Sequence, residues 1–168
     1  EKFIRMLIKN GHESPLEHGS CTFKIVTDRA ISQEIVRHRL ASYSQESTRY
    51  CNYANGKFSR EITVIESSGL AENEAREWLD AMEHLERTYL LMIDSGVKPE
   101  KARDVLPLCL KTELMMTANF REWRHFLKLR GSRMAHPGIR KIAKQIYEVF
   151  KQAIPVLVED IELADADE

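Results

Sequence analysis

Residues 37 to 49 read Arg-His-Arg-Leu-Ala-Ser-Tyr-Ser-Gln-Glu-Ser-Thr-Arg, and no other stretch of the chain gathers as much anion-binding chemistry. Arg37, Arg39 and Arg49 stay ionised at any physiological pH and donate hydrogen bonds in a fixed plane, which suits phosphate oxygens and electron-rich heterocycles. His38, Ser47 and Thr48 add short polar groups beside them. A solvated basic surface would carry the same charges, since charge runs are common on exposed faces. The spacing is more particular: an Arg-His-Arg triplet, seven intervening residues, then Ser47 and Arg49.

Two further blocks carry chemistry. Residues 11 to 18, Gly-His-Glu-Ser-Pro-Leu-Glu-His, put two histidines and two carboxylates close together. Those are zinc-ligand types, but a His-Glu-x-x-His site needs its histidines one helical turn apart. Position 16 is Leu and Pro15 interrupts a helix there, so no metal site is expected. The other block is Asn119-Phe120-Arg121, followed by His125, Leu129 and Arg130, with Arg103 upstream.

In this order the three blocks resemble those of the flavin-dependent thymidylate synthases, and they cover most of the chain. The resemblance implies an α+β fold of mixed helices and a small, mainly antiparallel sheet. It also implies a single domain over residues 1–168 that assembles as a homotetramer with shared active sites. Members usually carry a further strand and helix ahead of the His-Glu block, so the N-terminal part of the family domain is expected to be missing before Glu1. The implied reaction is the reductive methylation of dUMP to dTMP, with methylenetetrahydrofolate as carbon donor, NADPH as reductant and FAD as cofactor. The cofactor would supply the redox chemistry and the protein its orientation and charge.

Site residues follow by matching positions. His12 lies near flavin and folate and, with Arg130, is assigned to catalysis. Ser14 and Glu17, then Arg37, His38 and Arg39, then Asn119, Arg121, His125 and Leu129 line the flavin. Ser47, Thr48, Arg49 and Arg103 meet the nucleotide, and Arg130 meets the pyrimidine carbonyl edge, where a cation would stabilise negative charge developing in the ring. Glu34 stands where some members have Gln, and Gln45 where some have Glu; both are assigned to the substrate. A carboxylate cannot donate to phosphate, so Glu34 is expected to meet a sugar hydroxyl or an arginine. Met134 stands where a histidine is usual, leaving His136 as its substitute or that contact absent.

Cys21, Cys51 and Cys109 are odd in number and contain no Cys-x-x-Cys pair, which fits free thiols in a reducing cytoplasm. Other thymidylate synthases attack the uracil with a cysteine; the surroundings of Cys51 resemble the flavin family instead, so none is expected to be a nucleophile. Two other readings remain: a non-catalytic nucleotide-binding domain, and a nucleic-acid module using the basic residues at 37–49 and 121–133. Lys plus Arg number 25 against 26 Asp plus Glu, so the global basic field of a nucleic-acid binder is lacking. No apolar run approaches the roughly 20 residues a membrane helix needs, and no membrane partner is expected.

The elements that must position these residues are partly legible. A chain of 168 residues is one domain's worth, able to bury roughly 70% of its unfolded surface. Phe3, Ile4, Leu7 and Ile8 have helical spacing, with Gly11 as the stop. Alternation through Cys21, Phe23 and Ile25 predicts a strand, and Asp28 or Ser32 would cap a helix leading into the triplet at its C-terminal end. Lys57 to Ser67 predicts one or two strands, ended by the turn at 67–69. Residues 71–95 predict a long helix with Ala75, Trp78, Leu79, Met82, Leu85, Tyr89 and Met92 on one face, closed by Gly96. Pro99 opens a short helix that Pro107 terminates, and 108–117 reads as strand or helix. Asn119 caps a helix from Phe120 to Arg130, with Trp123, Phe126 and Leu127 inward and its basic residues, Arg121 and Arg124 among them, outward. Pro137 starts a last helix facing Ile139, Ile142, Ile146 and Phe150 inward, which Pro155 breaks before an acidic tail.

Overall fold

The computed structural model describes residues 1–67 and 69–164. Its elements run α1 (Lys2–Lys9), β1 (Ser20–Asp28), α2 (Arg29–Ile35), β2 (Ala41–Gln45), α3 (Glu72–Asp94), α4 (Pro99–Ala102), β3 (Lys111–Asn119), α5 (Phe120–Arg130) and α6 (Pro137–Ala153). The strands form one sheet in the order β1-β3-β2. Phe120 N–H donates to the Gly19 carbonyl at one end of the β1-β3 pair and Arg29 N–H to the Leu110 carbonyl at the other, an antiparallel register. Six helices beside a small antiparallel sheet, among the described residues, make the fold α+β. No described helix is long and apolar enough to cross a membrane.

The chain gathers into two compact units. One comprises Glu1–Ile25, Gln33–Ser44 and the chain from Met115 onward. Its core forms where α5 and α6 bury their apolar stripes, Trp123, Phe126 and Leu127 on one and Ile139, Ile142, Ile146 and Phe150 on the other. Phe23 of β1 meets the rings of Trp123 and Phe150 edge-on at 5.0 and 5.4 Å, and the Trp123 indole N–H donates to the Cys21 carbonyl at 3.2 Å. Both helices start on caps: the Asn119 side chain accepts from Glu122 N–H at 2.8 Å, and His136 Nδ1 accepts from Gly138 N–H at 3.1 Å.

The other unit comprises Val26–Ser32 and Gln45–Leu114. Here Tyr53, Tyr89, Ala102 and Leu110 form the buried cluster, with Phe58, Ile62, Met92 and Val105 against it. Of the face predicted for α3, Tyr89 is fully buried, Met82, Leu85 and Met92 are half-buried, and Leu79 is exposed. Gly96, at φ 87°, closes the helix in the left-handed conformation that glycine tolerates.

Several expectations are corrected. No strand forms over 57–67; the segment holds a 3-10 turn at Gly56–Phe58 and a single bridge from Val64 to Leu110. Ser59 and Arg60 both adopt positive φ, which turns the backbone out of any extended run, while Phe58 and Ile62 go to the Tyr89 cluster. The stop expected at 67–69 includes Ser68, which lies outside the described residues. Strand β2 was not anticipated, because Ala-Ser-Tyr-Ser-Gln lacks an apolar alternation. The helix before the triplet ends at Ile35, so Arg37 to Arg39 lie in the turn beyond it. Arg124 faces inward, only 1% exposed, because Glu13 and Asp160 supply partners that α5 alone does not reveal. Beyond Pro155, Val156, Leu157, Val158 and Ile161 are buried, so the apolar residues before the tail dock in the core.

Candidate functional site

In the first unit, α5 projects its polar residues at the turn that carries the triplet. Helix α2 begins in the second unit's segment, where Asp28 rather than Ser32 caps it, the Asp28 carboxylate accepting from Ile31 N–H at 2.7 Å. After Ile35 the chain turns, and Tyr43 on β2 fixes that turn: its hydroxyl lies 2.9 Å from the Ile35 carbonyl oxygen and 2.8 Å from that of His38. Burial, then the negative Glu122, push the Tyr43 phenol up to about 12, so it stays protonated for this role.

His38 is consequently buried, at 4% exposure, with its ring 4.9 Å from that of Phe126 and 5.8 Å from that of His125. Its Nδ1 lies 3.2 Å from a carboxylate oxygen of Glu122, itself buried. Its Nε2 accepts from Arg130 Nε at 2.9 Å. Arg130 also donates to the Glu34 carboxylate at 3.2 Å and to the Glu34 backbone carbonyl at 2.9 Å. Of the two partners foreseen for Glu34, the structure shows the arginine. Burial first lowers the His38 pKa, reinforced by Arg130 and His125 and opposed by Glu122.

A cavity of about 600 Å³ opens beside this chain of residues, lined by Glu13, Glu17, Leu40, Asn119, Arg121, Glu122, His125 and Lys128. Arg121 and Glu17 form an ion pair at 2.5 Å across it, joining the first and third blocks. Glu13 is held by the Arg124 guanidinium at 3.1 and 3.3 Å. The cavity walls therefore offer two cations, an amide, an imidazole and three carboxylates. Of the residues expected at the flavin, Glu17, Asn119, Arg121 and His125 line this cavity, and His38 is packed against His125. His12, Ser14, Arg37, Arg39 and Leu129 are exposed and are not among its lining residues. His38, Glu122 and His125 bring three donor atoms within 4.8 Å of one another. Both His38 nitrogens are already bonded, so a metal ion there would have to displace Glu122 or Arg130.

In the second unit, Ser47 to Arg49 turn immediately after β2. Tyr50 and Cys51 N–H groups donate to the Ser47 carbonyl at 3.0 Å each, and Arg49 N–H meets the Ser47 hydroxyl at 3.4 Å. Arg103 donates to the buried Thr48 hydroxyl at 3.4 Å, so the two blocks expected at the phosphate adjoin. Arg49 is exposed, its guanidinium 5.6 Å from the Tyr50 ring. The Gln45 amide nitrogen is spent internally on Ser32 and Thr112, at 2.9 and 3.2 Å. The Cys51 thiol donates to the Glu46 carboxylate at 3.4 Å. Burial pushes the Cys21 and Cys109 thiols up, away from the thiolate form. Met134 is 95% exposed, and His136, its foreseen substitute, is occupied as the cap of α6.

Sequence reasoning missed Tyr43, Glu122 and Lys128. Only Glu122 left a signal, standing three residues after a capping Asn and three before His125, on one side of α5.

Arginines on α5 and on the turn after α2, with a mixed-charge cavity beside them, define an α+β protein whose site offers charge-assisted hydrogen bonds to an anionic group. Residues 1–156 match the thymidylate synthase complementing protein family. The chain is 38% identical over 160 residues to the flavin-dependent thymidylate synthase of Geobacter sulfurreducens, covering 94% of this chain and 68% of that protein. It is 35% identical over 154 residues to that of Pyrococcus furiosus, and 38% over 155 residues to that of Thermococcus kodakarensis, covering 63% and 62% of them. The chain thus spans about two thirds or a little less of these relatives. It belongs to the thymidylate synthase complementing protein family, the family of the flavin-dependent thymidylate synthases.

Proposed function

We propose that the protein is a flavin-dependent thymidylate synthase that converts dUMP to dTMP, with FAD as cofactor, methylenetetrahydrofolate as carbon donor and NADPH as reductant. One observation carries this reading: Glu13 and Glu17 from the first block, and Asn119, Arg121 and His125 from the third, line a single cavity beside His38 of the second. The cavity suits a dinucleotide flavin. Arg121 and Lys128 supply cations for a pyrophosphate, Asn119 and His125 supply hydrogen bonds for ring heteroatoms, and Leu40 supplies apolar surface. When bound there, FAD supplies hydride-transfer chemistry.

The protein's own residues orient and charge the reactants. Ser47, Thr48, Arg49 and Arg103 hold the nucleotide phosphate through hydroxyls and guanidinium N–H groups. Arg130 presents its guanidinium to the pyrimidine carbonyl edge, where fixed positive charge favours the electron-rich ring needed at C5. His12, Ser14, Arg37, Arg39 and Leu129, exposed in the single chain, complete sites shared between subunits of a homotetramer. The work is done in the cytoplasm.

The test is the visible spectrum of freshly purified protein, its elution volume, and NADPH-dependent tritium release from dUMP labelled at C5. A yellow tetramer whose colour bleaches under anaerobic NADPH, and which releases tritium, is expected. Protein that stays colourless with excess FAD and releases no tritium would refute the proposal.

A further inference from the structure

We infer that Glu122 is a positioning residue for Arg130, acting through His38: its carboxylate selects the imidazole tautomer whose bare Nε2 holds the guanidinium facing the substrate. The inference rests on the reading above in taking Arg130 to meet the pyrimidine.

The tautomer follows from donor bookkeeping. An arginine nitrogen only donates, so the 2.9 Å contact from Arg130 Nε requires a lone pair on His38 Nε2. The ring proton therefore sits on Nδ1, where it donates to Glu122 at 3.2 Å. Glu122 is well placed to impose this. It lies in the first turn of α5, its backbone N–H is fixed by Asn119 at 2.8 Å, and it is 6% exposed. Without the carboxylate the proton is free to move to Nε2, where it would point at the Arg130 N–H and push the guanidinium away.

The relay also determines what Arg130 has left to offer. Its Nε–H is taken by His38, one Nη by the Glu34 carboxylate and the other by the Glu34 backbone carbonyl. A guanidinium has five N–H donors, so two remain, one on each Nη, for a ligand's acceptors. Tilting the imidazole would tilt that pair. Protonating His38 would do the same, because Nε2 would then carry hydrogen. The charged and titratable groups facing His38 are Glu122, His125 and Arg130 from α5, with the Tyr43 hydroxyl of β2 on its carbonyl.

The experiment measures dUMP affinity and kcat/KM from pH 5 to 8.5 for the FAD-loaded wild type, Glu122→Gln and Glu122→Leu, with FAD affinity and Tm as controls. Gln keeps an acceptor for Nδ1–H, and Leu does not. Assayed at saturating FAD, because Glu122 also lines the cavity assigned to the flavin, Glu122→Leu should lose roughly ten- to a hundredfold in kcat/KM, and Glu122→Gln should recover most of it. Glu122 raises the His38 pKa against the other influences. Removing its charge must therefore move the acid limb of the Gln profile to lower pH, a shift that a purely structural residue would not cause. The substrate phosphate's own ionisation is common to every variant and cancels. A ligand-free double-mutant cycle of Glu122→Leu with Arg130→Met should give Tm losses that fail to add.

Wild-type protein that neither binds dUMP nor turns it over would overturn the functional reading, while the cycle still decides the relay. Wild-type turnover with an unchanged Glu122→Leu profile, or additive Tm losses, would overturn the relay alone.

Discussion

Asp160 and Glu159 are neighbours in sequence, and each pairs with an arginine, yet only one pair should matter for stability. Asp160 makes two bonds to Arg124, at 2.7 and 2.8 Å, and Arg124 is 1% exposed. Glu159 pairs with Arg5 where both side chains are open to water, 38% and 49% exposed. Charge-assisted hydrogen bonds contribute about 1.5 to 3 kcal/mol each when well shielded. Asp160 is itself 40% exposed, and Glu13 remains as a second anion on Arg124. Asp160→Asn should therefore cost about 2 kcal/mol in total, lowering Tm by about 4 to 8 °C for a chain of this size. Glu159→Gln should leave Tm within about 1 °C of the parent. The difference should also depend on pH. The hydrogen bond from Arg124 holds the Asp160 carboxyl below its ordinary value. Its contribution is thus complete above about pH 4 and is lost as pH falls through the depressed value. Differential scanning calorimetry of both variants at pH 7 and pH 3 tests this. Equal losses in the two variants, or an Asp160→Asn deficit as large at pH 3 as at pH 7, would refute the reasoning.

Other outcomes are expected. Gly19→Ala would drive a Cβ into the Phe120 ring, and thermal unfolding should show a loss of about 1 to 3 kcal/mol. Arg49→Ala, by removing a phosphate partner, should weaken dUMP roughly 10- to 100-fold by flavin-fluorescence titration while FAD content stays unchanged. Cys51→Ala should keep dTMP formation within about tenfold of the parent, a barrier change near 1.4 kcal/mol. Abolished turnover with FAD and dUMP binding intact would instead make Cys51 a nucleophile.

Local physics made much of the fold legible. Asn119 and Pro137 announce α5 and α6 because caps act through the next three residues, and Gly96 marks the end of α3 because its φ is one that other residues resist. What stayed hidden depends on long-range partners. Arg124 looks like a surface residue of α5 until Glu13, 111 positions away, and Asp160, 36 positions away, are brought to it. The polar segment 41–45 becomes a strand by pairing with β3, and 57–67 fails to become one because Ser59 and Arg60 turn it aside. The same division holds at the site. The blocks told which residues carry chemistry, but the bonds of Glu34 and His38 to Arg130 join residues more than 90 positions apart, and no spacing rule reaches that far.

Asn119 ends a strand, starts a helix and lines the cavity, and these duties divide between the two atoms of one amide. Its oxygen is the helix cap, which settles the flip of the group: the nitrogen is what remains for a ligand. That nitrogen can only donate, so whatever meets Asn119 in the cavity must present an acceptor. Aspartate caps a helix as well as asparagine does, but has no proton to give at neutral pH. An Asn119→Asp protein should hence keep its Tm and lose affinity for an acceptor-bearing cofactor, so that folding and ligand recognition, although they share a residue, remain open to separate selection.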